Sequence, residues 1–405
     1  MRSLKKGGRQ KLPGGIWVLG FVSMLMDISS EMVHSLLPIF MTATLGVPVV
    51  MIGMIEGVAE SAAAITKVFS GAISDYFGKR KFLAVIGYGL SAATKPIFPM
   101  ATSVGWVFSA RFLDRIGKGI RGAPRDALVA DISPPQLLGA AYGLRQSLDS
   151  VGALVGPLLA VLLMLWVAND IQTVLWIAVG PAFLAVLLLI VALREPESRD
   201  DSGGPGIQLA LTEFKRLPFR YWRVVLLGAV FTLARFSEAF LILRAGDLGL
   251  TLSLVPVIMI VMNLTYSIFA YPAGVLGDRL SARRLLVSGL CVLIIADIVL
   301  AVAASPRMAF VGAALWGMHM ALTQGLLSKL VADTAPHELR GTAFGVFNLV
   351  SGGALLLASV IAGSVWSMLG ASATFLVGAS FAALAATGLL FHRPIARAAG
   401  LGSSE

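Results

Sequence analysis

Leu128–Gly143 read LVADISPPQLLGAAYG and Leu330–Gly345 read LVADTAPHELRGTAFG; nine of the sixteen positions agree, among them Asp131/Asp333, Pro134/Pro336 and Gly139/Gly341. A second pair recurs at nearly the same separation, GAISDYFGKRK from Gly71 to Lys81 against GVLGDRLSARR from Gly274 to Arg284. The chain is therefore a duplication. In a membrane protein, two homologous halves of one orientation imply a site between them and a rocking motion that exposes it to each side in turn.

The composition places the duplication in a bilayer. Hydrophobic residues make up 57% of the chain and charged residues 13%, with a mean hydropathy of +0.85, well beyond the needs of a soluble core. Twelve apolar segments are long enough to cross as helices: Gly15–Thr44, Val49–Ser74, Phe82–Ala101, Val104–Val129, Leu137–Val167, Ile171–Leu193, Tyr221–Arg244, Leu252–Leu276, Leu285–Ala304, Met308–Val331, Thr342–Leu369 and Ala371–Phe391. None shows the two-residue alternation of a membrane strand. The expected fold is an all-α integral membrane protein with twelve transmembrane helices in two pseudosymmetric six-helix bundles. Residues 1–195 form the first bundle, 196–220 a polar cytoplasmic linker rich in glycine and charge, and 221–405 the second bundle.

The net charge of +10 is a signal of orientation rather than of nucleic-acid binding. Lys5, Lys6, Arg9, Lys11, Lys79–Lys81, Lys215, Arg216, Arg220, Arg223, Arg283 and Arg284 cluster on one face, whereas Leu45–Pro48 and Thr102–Ser103 on the other carry almost no charge. This bias predicts cytoplasmic termini and a cytoplasmic linker in a bacterial inner membrane, with lipid headgroups as contacts. Asp27 and Glu31 interrupt the first apolar run, so an uncleaved span is expected there. The lone Cys291 allows no internal disulfide. A monomer is expected. No phosphate loop, HExxH motif or nucleophile with a positioned base appears, so neither an enzyme nor a cofactor is indicated.

Gly71, Asp75, Gly78, Lys79, Arg80 and Lys81 resemble the signature loop of the major facilitator superfamily, and Gly274, Asp278, Arg279 and Arg283 resemble its echo in the second half. The resemblance covers essentially the whole chain and implies a secondary transporter working by alternating access. It assigns Asp75, Arg80, Asp278 and Arg283 to conformational gating. Gly152-Ala-Leu-Val-Gly156-Pro157 resembles the core of the motif found in proton-coupled exporters of that superfamily, with Leu159 and Ala160 in place of further glycines. That places a hinge at Gly156 and Pro157; plain helix packing is the alternative.

Charges inside a spanning helix are costly unless paired or hydrated, so survivors tend to face an inner cavity. Asp27, Glu31 and His34 fall on one stripe of the first helix, and Glu56, Glu60 and Lys67 on one stripe of the second. Arg111, Asp114, Arg115, Lys118, Arg121, Arg125 and Asp126 stud the fourth; Lys95 lies in the third, Arg145 and Asp149 in the fifth. The expected substrate- and proton-binding set is Asp27, Glu31, His34, Glu60, Arg111, Asp114, Arg115, Arg145 and Asp149.

Two carboxylates and an imidazole suit a divalent cation such as nickel or iron, and in that reading Asp27, Glu31 and His34 are metal ligands that hold the cargo. The stretches Asp27–Pro38 and Asp114–Asp126 also resemble a bacterial branch that includes nickel-resistance permeases, although this chain carries no histidine-rich tail. The cationic stripe of the fourth helix fits an organic anion instead, and a multidrug exporter stands beside both. A non-transporting membrane receptor or scaffold is the reading from another class. The second half is poorer in charge, with Arg235, Glu238, Asp297, His319 and Lys329, which points to proton coupling mainly in the first half.

Overall fold

The computed structural model describes residues 12–77, 79–194, 216–336 and 339–391, and every regular element among them is helical. Twelve rods follow the chain. In the first half they are α1 (Gly14–Ile39, extended by a π-helical turn over Phe40–Thr44), α2 (Val49–Phe77), α3 (Arg80–Thr94, continued by Ile97–Met100), α4 (Val104–Ile132), α5 (Leu138–Trp166) and α6 (Ile171–Ile177 with Val179–Ala192). In the second they are α7 (Phe219–Leu233 with Ala239–Asp247), α8 (Val257–Arg279), α9 (Ala282–Ala301), α10 (Pro306–Thr334), α11 (Arg340–Leu369) and α12 (Ala371–Phe391). Eight rods are apolar and continuous enough to cross a bilayer on length and composition alone. Of the others, α3 and α7 are broken, α4 is charged along its length, and α10 is diluted by polar residues such as His319 and Thr323. Most of the linker expected at 196–220 falls outside the described residues.

The sequence predicted unbroken rods, and the breaks have local causes. In α3, Pro96 has no N–H to continue the ladder, and the chain turns at Lys95. In α7 no proline or glycine is present over Leu233–Glu238. Instead Ser237 Oγ accepts the N–H of Ala239 at 3.2 Å and restarts the helix. Phe236 drops inward among Phe240, Trp316 and Phe375, with ring centroids 5.3–5.6 Å away.

The duplication is visible in the turns. α1 and α7 both end at a glycine with positive φ, Gly46 at 65° and Gly249 at 83°, a left-handed conformation that suits a residue without Cβ. At the opposite end of the molecule, Lys81 donates to the carbonyl of Ile190 at 3.1 Å and to that of Leu193, capping α6. Arg283 donates to the carbonyl of Leu390 and caps α12 in the same way. A basic side chain at each helix C-terminus offsets the dipole there.

The apolar core is continuous at one end and divided at the other. At the end holding Gly46 and Gly249, which we call the neutral end, one cluster joins both halves through Leu36, Phe40, Ile52, Phe240, Trp316 and Phe375. At the basic end, Ile16, Leu19, Tyr88 and Leu189 form one cluster and Tyr221, Val225, Val331 and Ala343 another. The halves thus meet at the neutral end and part at the basic end. Outward-facing Leu162, Leu165, Leu187 and Leu384 are exposed, as a lipid-facing surface requires.

Two seams join the halves. Along α2 and α11, Ser61 Oγ donates to the carbonyl of Gly352 at 2.5 Å and the N–H of Val50 to Ser367 Oγ at 3.2 Å. Gly53 lies against the Ser359 carbonyl, and a Cβ on Gly57 would come within 3.0 Å of the Leu356 backbone. Between α5 and α8, Asn263 Nδ2 donates to the carbonyl of Ala153 at 3.2 Å. Gly53→Val should force the first seam apart at a cost of about 1–3 kcal/mol. The expected result is a lower thermal unfolding midpoint in detergent; a midpoint equal to wild type would show that this contact does not hold the halves together.

Candidate functional site

Glycines set where the charges point. A Cβ on Gly117 would lie 2.6 Å from Ser91 Oγ of α3, and one on Gly119 would lie 2.8 Å from the Ala63 carbonyl of α2. Both glycines are pressed against neighbours, so α4 is wedged between α2 and α3. Successive helix positions point about 100° apart, so Lys118 projects between these two contacts, away from the packed faces. α5 approaches α1 by the same device. A Cβ on Gly152 would be 2.9 Å from Asp27 Cβ, and one on Gly156 would be 2.8 Å from Glu31 Cβ and the Ile28 carbonyl. The glycine spacing of α5 therefore seats α1 at its two carboxylates.

Two chambers open between the halves. The first, about 320 Å³, is lined by Asp27, Glu31, Lys118, Arg125 and Asp149, with Asn263 and Tyr266 of α8 opposite. The second, about 410 Å³, is lined by Glu60 and Lys118 on one side and by Phe231, Arg235, Phe347 and Asn348 on the other. Lys67 and Lys118 line both. Closure of the core at the neutral end leaves the basic end as the way out.

Around this space the buried charges are matched. Arg111 Nη2 meets Glu56 Oε2 at 2.7 Å, with both side chains at most 1% exposed, and Arg115 Nε meets Glu60 Oε1 at 3.1 Å. Lys95 Nζ lies 3.0 Å from Asp114 Oδ1 and donates to Ser30 Oγ at 3.1 Å. Arg121 donates to Ser91 Oγ at 2.7 Å and stacks 4.7 Å above the Tyr88 ring. Arg145 Nη1 meets Asp149 Oδ2 at 2.7 Å, and Arg125 lies 3.8 Å from the same oxygen. Serine hydroxyls and aromatic faces complete the cations that lack a full carboxylate partner.

Three groups depart from this matching. The Asp27 carboxylate, Lys67 and Lys118 make no ion pair among the described residues, and all three line the first chamber. Their charge is available to something that enters it.

The residues expected from the sequence divide into two sets. Asp27, Glu31 and Asp149 line the first chamber and Glu60 the second, whereas Arg111, Asp114, Arg115 and Arg145 are locked in ion pairs behind the wall. His34 is buried, with Nδ1 3.6 Å from Glu31 Oε2, and does not face the chamber. Among the described residues, no three His, Cys, Asp or Glu side chains group closely enough to hold a metal ion. Arg80 pairs with Asp131, which joins the two duplicated motifs. The side chains of Asp75 and Asp278 lie outside the described residues.

The sequence pattern of the Major Facilitator Superfamily matches residues 19–245 and again residues 235–405. The chain belongs to the major facilitator superfamily. An uncharacterised MFS-type transporter of Methanocaldococcus jannaschii is 32% identical over 390 residues, covering 94% of this chain and 96% of that one. A multidrug resistance protein of Photorhabdus laumondii is 28% identical over 173 residues, 43% of this chain and 42% of that one. The crystal structure of a nucleoside transporter, 15% identical, superimposes with a TM-score of 0.76 over 93% of this chain and 98% of that one. At that identity the likeness is one of fold. The protein is a multi-pass membrane transporter.

The sequence places Glu56 and Lys67 on a charged stripe of the second helix and Lys118 in the cationic stripe of the fourth, but does not single them out as binding residues; Glu56 is fully buried. The available signal was Gly117-Lys118-Gly119, in which two small residues flank a cation and leave it the only projecting group. Because Glu56 and Arg111 are buried together, removing one strands the other. Arg111→Met should destabilise the protein by about 3–5 kcal/mol, whereas the double variant Glu56→Leu/Arg111→Met should recover much of that. Unfolding midpoints of the three proteins check this; equal losses in the single and double variants would contradict the pairing.

Proposed function

We propose that the protein exports an anionic or zwitterionic organic solute in exchange for protons. The observation that carries this reading is the pair Lys67 and Lys118, unpaired cations on the wall common to both chambers. Arg235 adds a third positive group to the second chamber, and Asp27 supplies a carboxylate across the first. A solute with an anionic group would lie toward the lysines, and the 320 Å³ and 410 Å³ chambers fall in the size range of small-molecule sites. A bare divalent metal ion fits less well, since the cavity wall is rich in cations and, among the described residues, no three-ligand cluster faces it.

Proton coupling rests on Asp27 and Glu31. A proton on either carboxyl lowers the negative charge facing the solute's positive end, and its release restores it. For a zwitterion, the solute's cationic end and the proton then compete for the same carboxylates, which is what exchange requires. The basic end faces the cytoplasm, by the lysines and arginines of the α2–α3 and α8–α9 turns and the segment before α7. The chambers in this conformation are accordingly open to the cytoplasm, in an inner membrane, with a monomer as the transporting unit. Arg80 with Asp131 at the basic end and the Gly156-Pro157 segment of α5 are the gate and hinge. Export is favoured by the partial likeness to a multidrug resistance protein.

In proteoliposomes with an imposed pH gradient, a panel of organic anions, zwitterions and nickel ion should give gradient-driven flux of at least one organic solute and none of nickel. Glu31→Gln should abolish that flux with folding intact. Lys118→Gln should weaken solute binding roughly tenfold or more, as expected for loss of one charge-assisted contact. Nickel flux that depends on Glu31 and His34 would overturn the organic reading, and full coupling in Glu31→Gln would overturn the proton role.

A further inference from the structure

The two halves place opposite chemistry at one equivalent position. In the first half, α3 crosses α4 where Gly87 meets Arg121; in the second, α9 crosses α10 where Gly289 meets Thr323. Eight residues beyond each glycine stand Lys95 and Asp297, and seven before Arg121 and Thr323 stand Asp114 and Trp316. The buried ion pair Lys95–Asp114 therefore has as its counterpart a buried aspartate and a tryptophan.

Asp297 is fully buried, and neither carboxylate oxygen has a hydrogen-bond partner. Among the described residues the other two fully buried carboxylates have ion-pair partners, Glu56 with Arg111 and Asp114 with Lys95, whereas Asp27 opens on the first chamber. The Trp316 Nε1–H is buried and unpartnered as well. A Cβ built on Gly378 of α12 would lie 2.8 Å from Asp297 Oδ2 and 2.9 Å from Phe236 Cε1, so the carboxyl is held between the α12 backbone and the ring that fills the α7 break.

Among the described residues no cation pairs with Asp297; the buried Arg244 of α7, bonded to the Leu300 carbonyl at 3.0 Å farther along α9, is spent on that oxygen, on the Ala301 and Ala303 carbonyls and on Asp247. α12 carries no ionisable residue between Ala371 and Phe391, and on α9 the charges are Arg283 and Arg284 at its far end. On α10, His319 uses Nδ1 on the Gly289 carbonyl at 2.8 Å, about two turns of α9 from Asp297. In the α7 break, Arg235 faces the second chamber and is 3.6 Å from Glu238. An anion in such a place, with no donor on either oxygen, is far costlier than a neutral acid.

We propose that Asp297 is a proton-binding site of the C-terminal half, protonated in this conformation and released when the α7 break shifts Phe236 and admits a donor. On release the carboxyl O–H bond breaks, its electron pair stays on the carboxylate, and the proton leaves on water. The anion left behind then needs the Trp316 N–H or water on its oxygens. The ligand of the site is the proton itself, and the site lies apart from the acids of the first chamber. Its presence does not depend on the cargo; only its part in coupling rests on the exchange reading above.

Infrared difference spectra of the full-length protein in liposomes test the site without any transport. Wild type minus Asp297→Asn should show the carbonyl stretch of a protonated carboxylic acid, and the same band should be lost in Asp297→Leu. Glu31→Gln, which is expected to stop flux, should keep it. Loss of flux in Glu31→Gln with the Asp297 band intact would thus separate the two sites. A wild-type spectrum with no acid band removed by either Asp297 substitution would overturn the proposal. So would failure of both variants to fold, since that outcome marks an ionised carboxylate holding the bundle together.

Discussion

Charge can remain inside an apolar bundle only where each charged group meets an opposite charge, a donor or water, and this matching governs the first half of the transporter. The ladder of Glu56, Arg111, Glu60 and Arg115 ties α2 to α4, and Lys95–Asp114 ties α3 to α4. α4, too polar to meet the membrane alone, is enclosed between its neighbours. Pairing uses up most of the charge and leaves Asp27, Lys67 and Lys118 facing the cavity. Glycine makes the enclosure close enough for the pairs to form: Gly117 and Gly119 admit α3 and α2, and Gly152 and Gly156 admit α1.

The halves share a plan and differ in chemistry. Equivalent glycines end α1 and α7, and equivalent basic residues cap α6 and α12. Inside, the first half is an ionic network, whereas the second packs aromatics around the Phe236 break. A polar wall opposite a largely apolar one suits a solute with a charged group and an apolar body. The continuous core at the neutral end and divided cores at the basic end describe one of the two openings that such a plan allows.

Much of this was legible in the sequence because it depends on one-dimensional signals. Hydropathy gave the helices, the repeated LVAD segment gave the duplication, and the Asp27, Glu31 and Asp149 positions reached the chamber. Legibility failed where partners come from distant segments. His34 lies on the same stripe as Glu31 but turns into the protein, and Arg111 turns away from the cavity because Glu56 waits behind it. The α7 break carries no proline or glycine, so only the aromatic site that receives Phe236 explains it. In the sequence Asp297 is only one of the few charges of the second half, since its lack of a hydrogen-bond partner is a property of the packed bundle.

Exchange as proposed above requires the two halves to move against each other around the charged chambers. Electron-electron distance measurements in a Cys291→Ser background follow this motion, with one spin-label pair at Gly139 and Gly274 on the basic end and another at the exposed Thr44 and Thr251 on the neutral end. Across a pH titration the first distance should shorten as the second lengthens. Distances that stay fixed, or that grow and shrink together, would rule out such a motion.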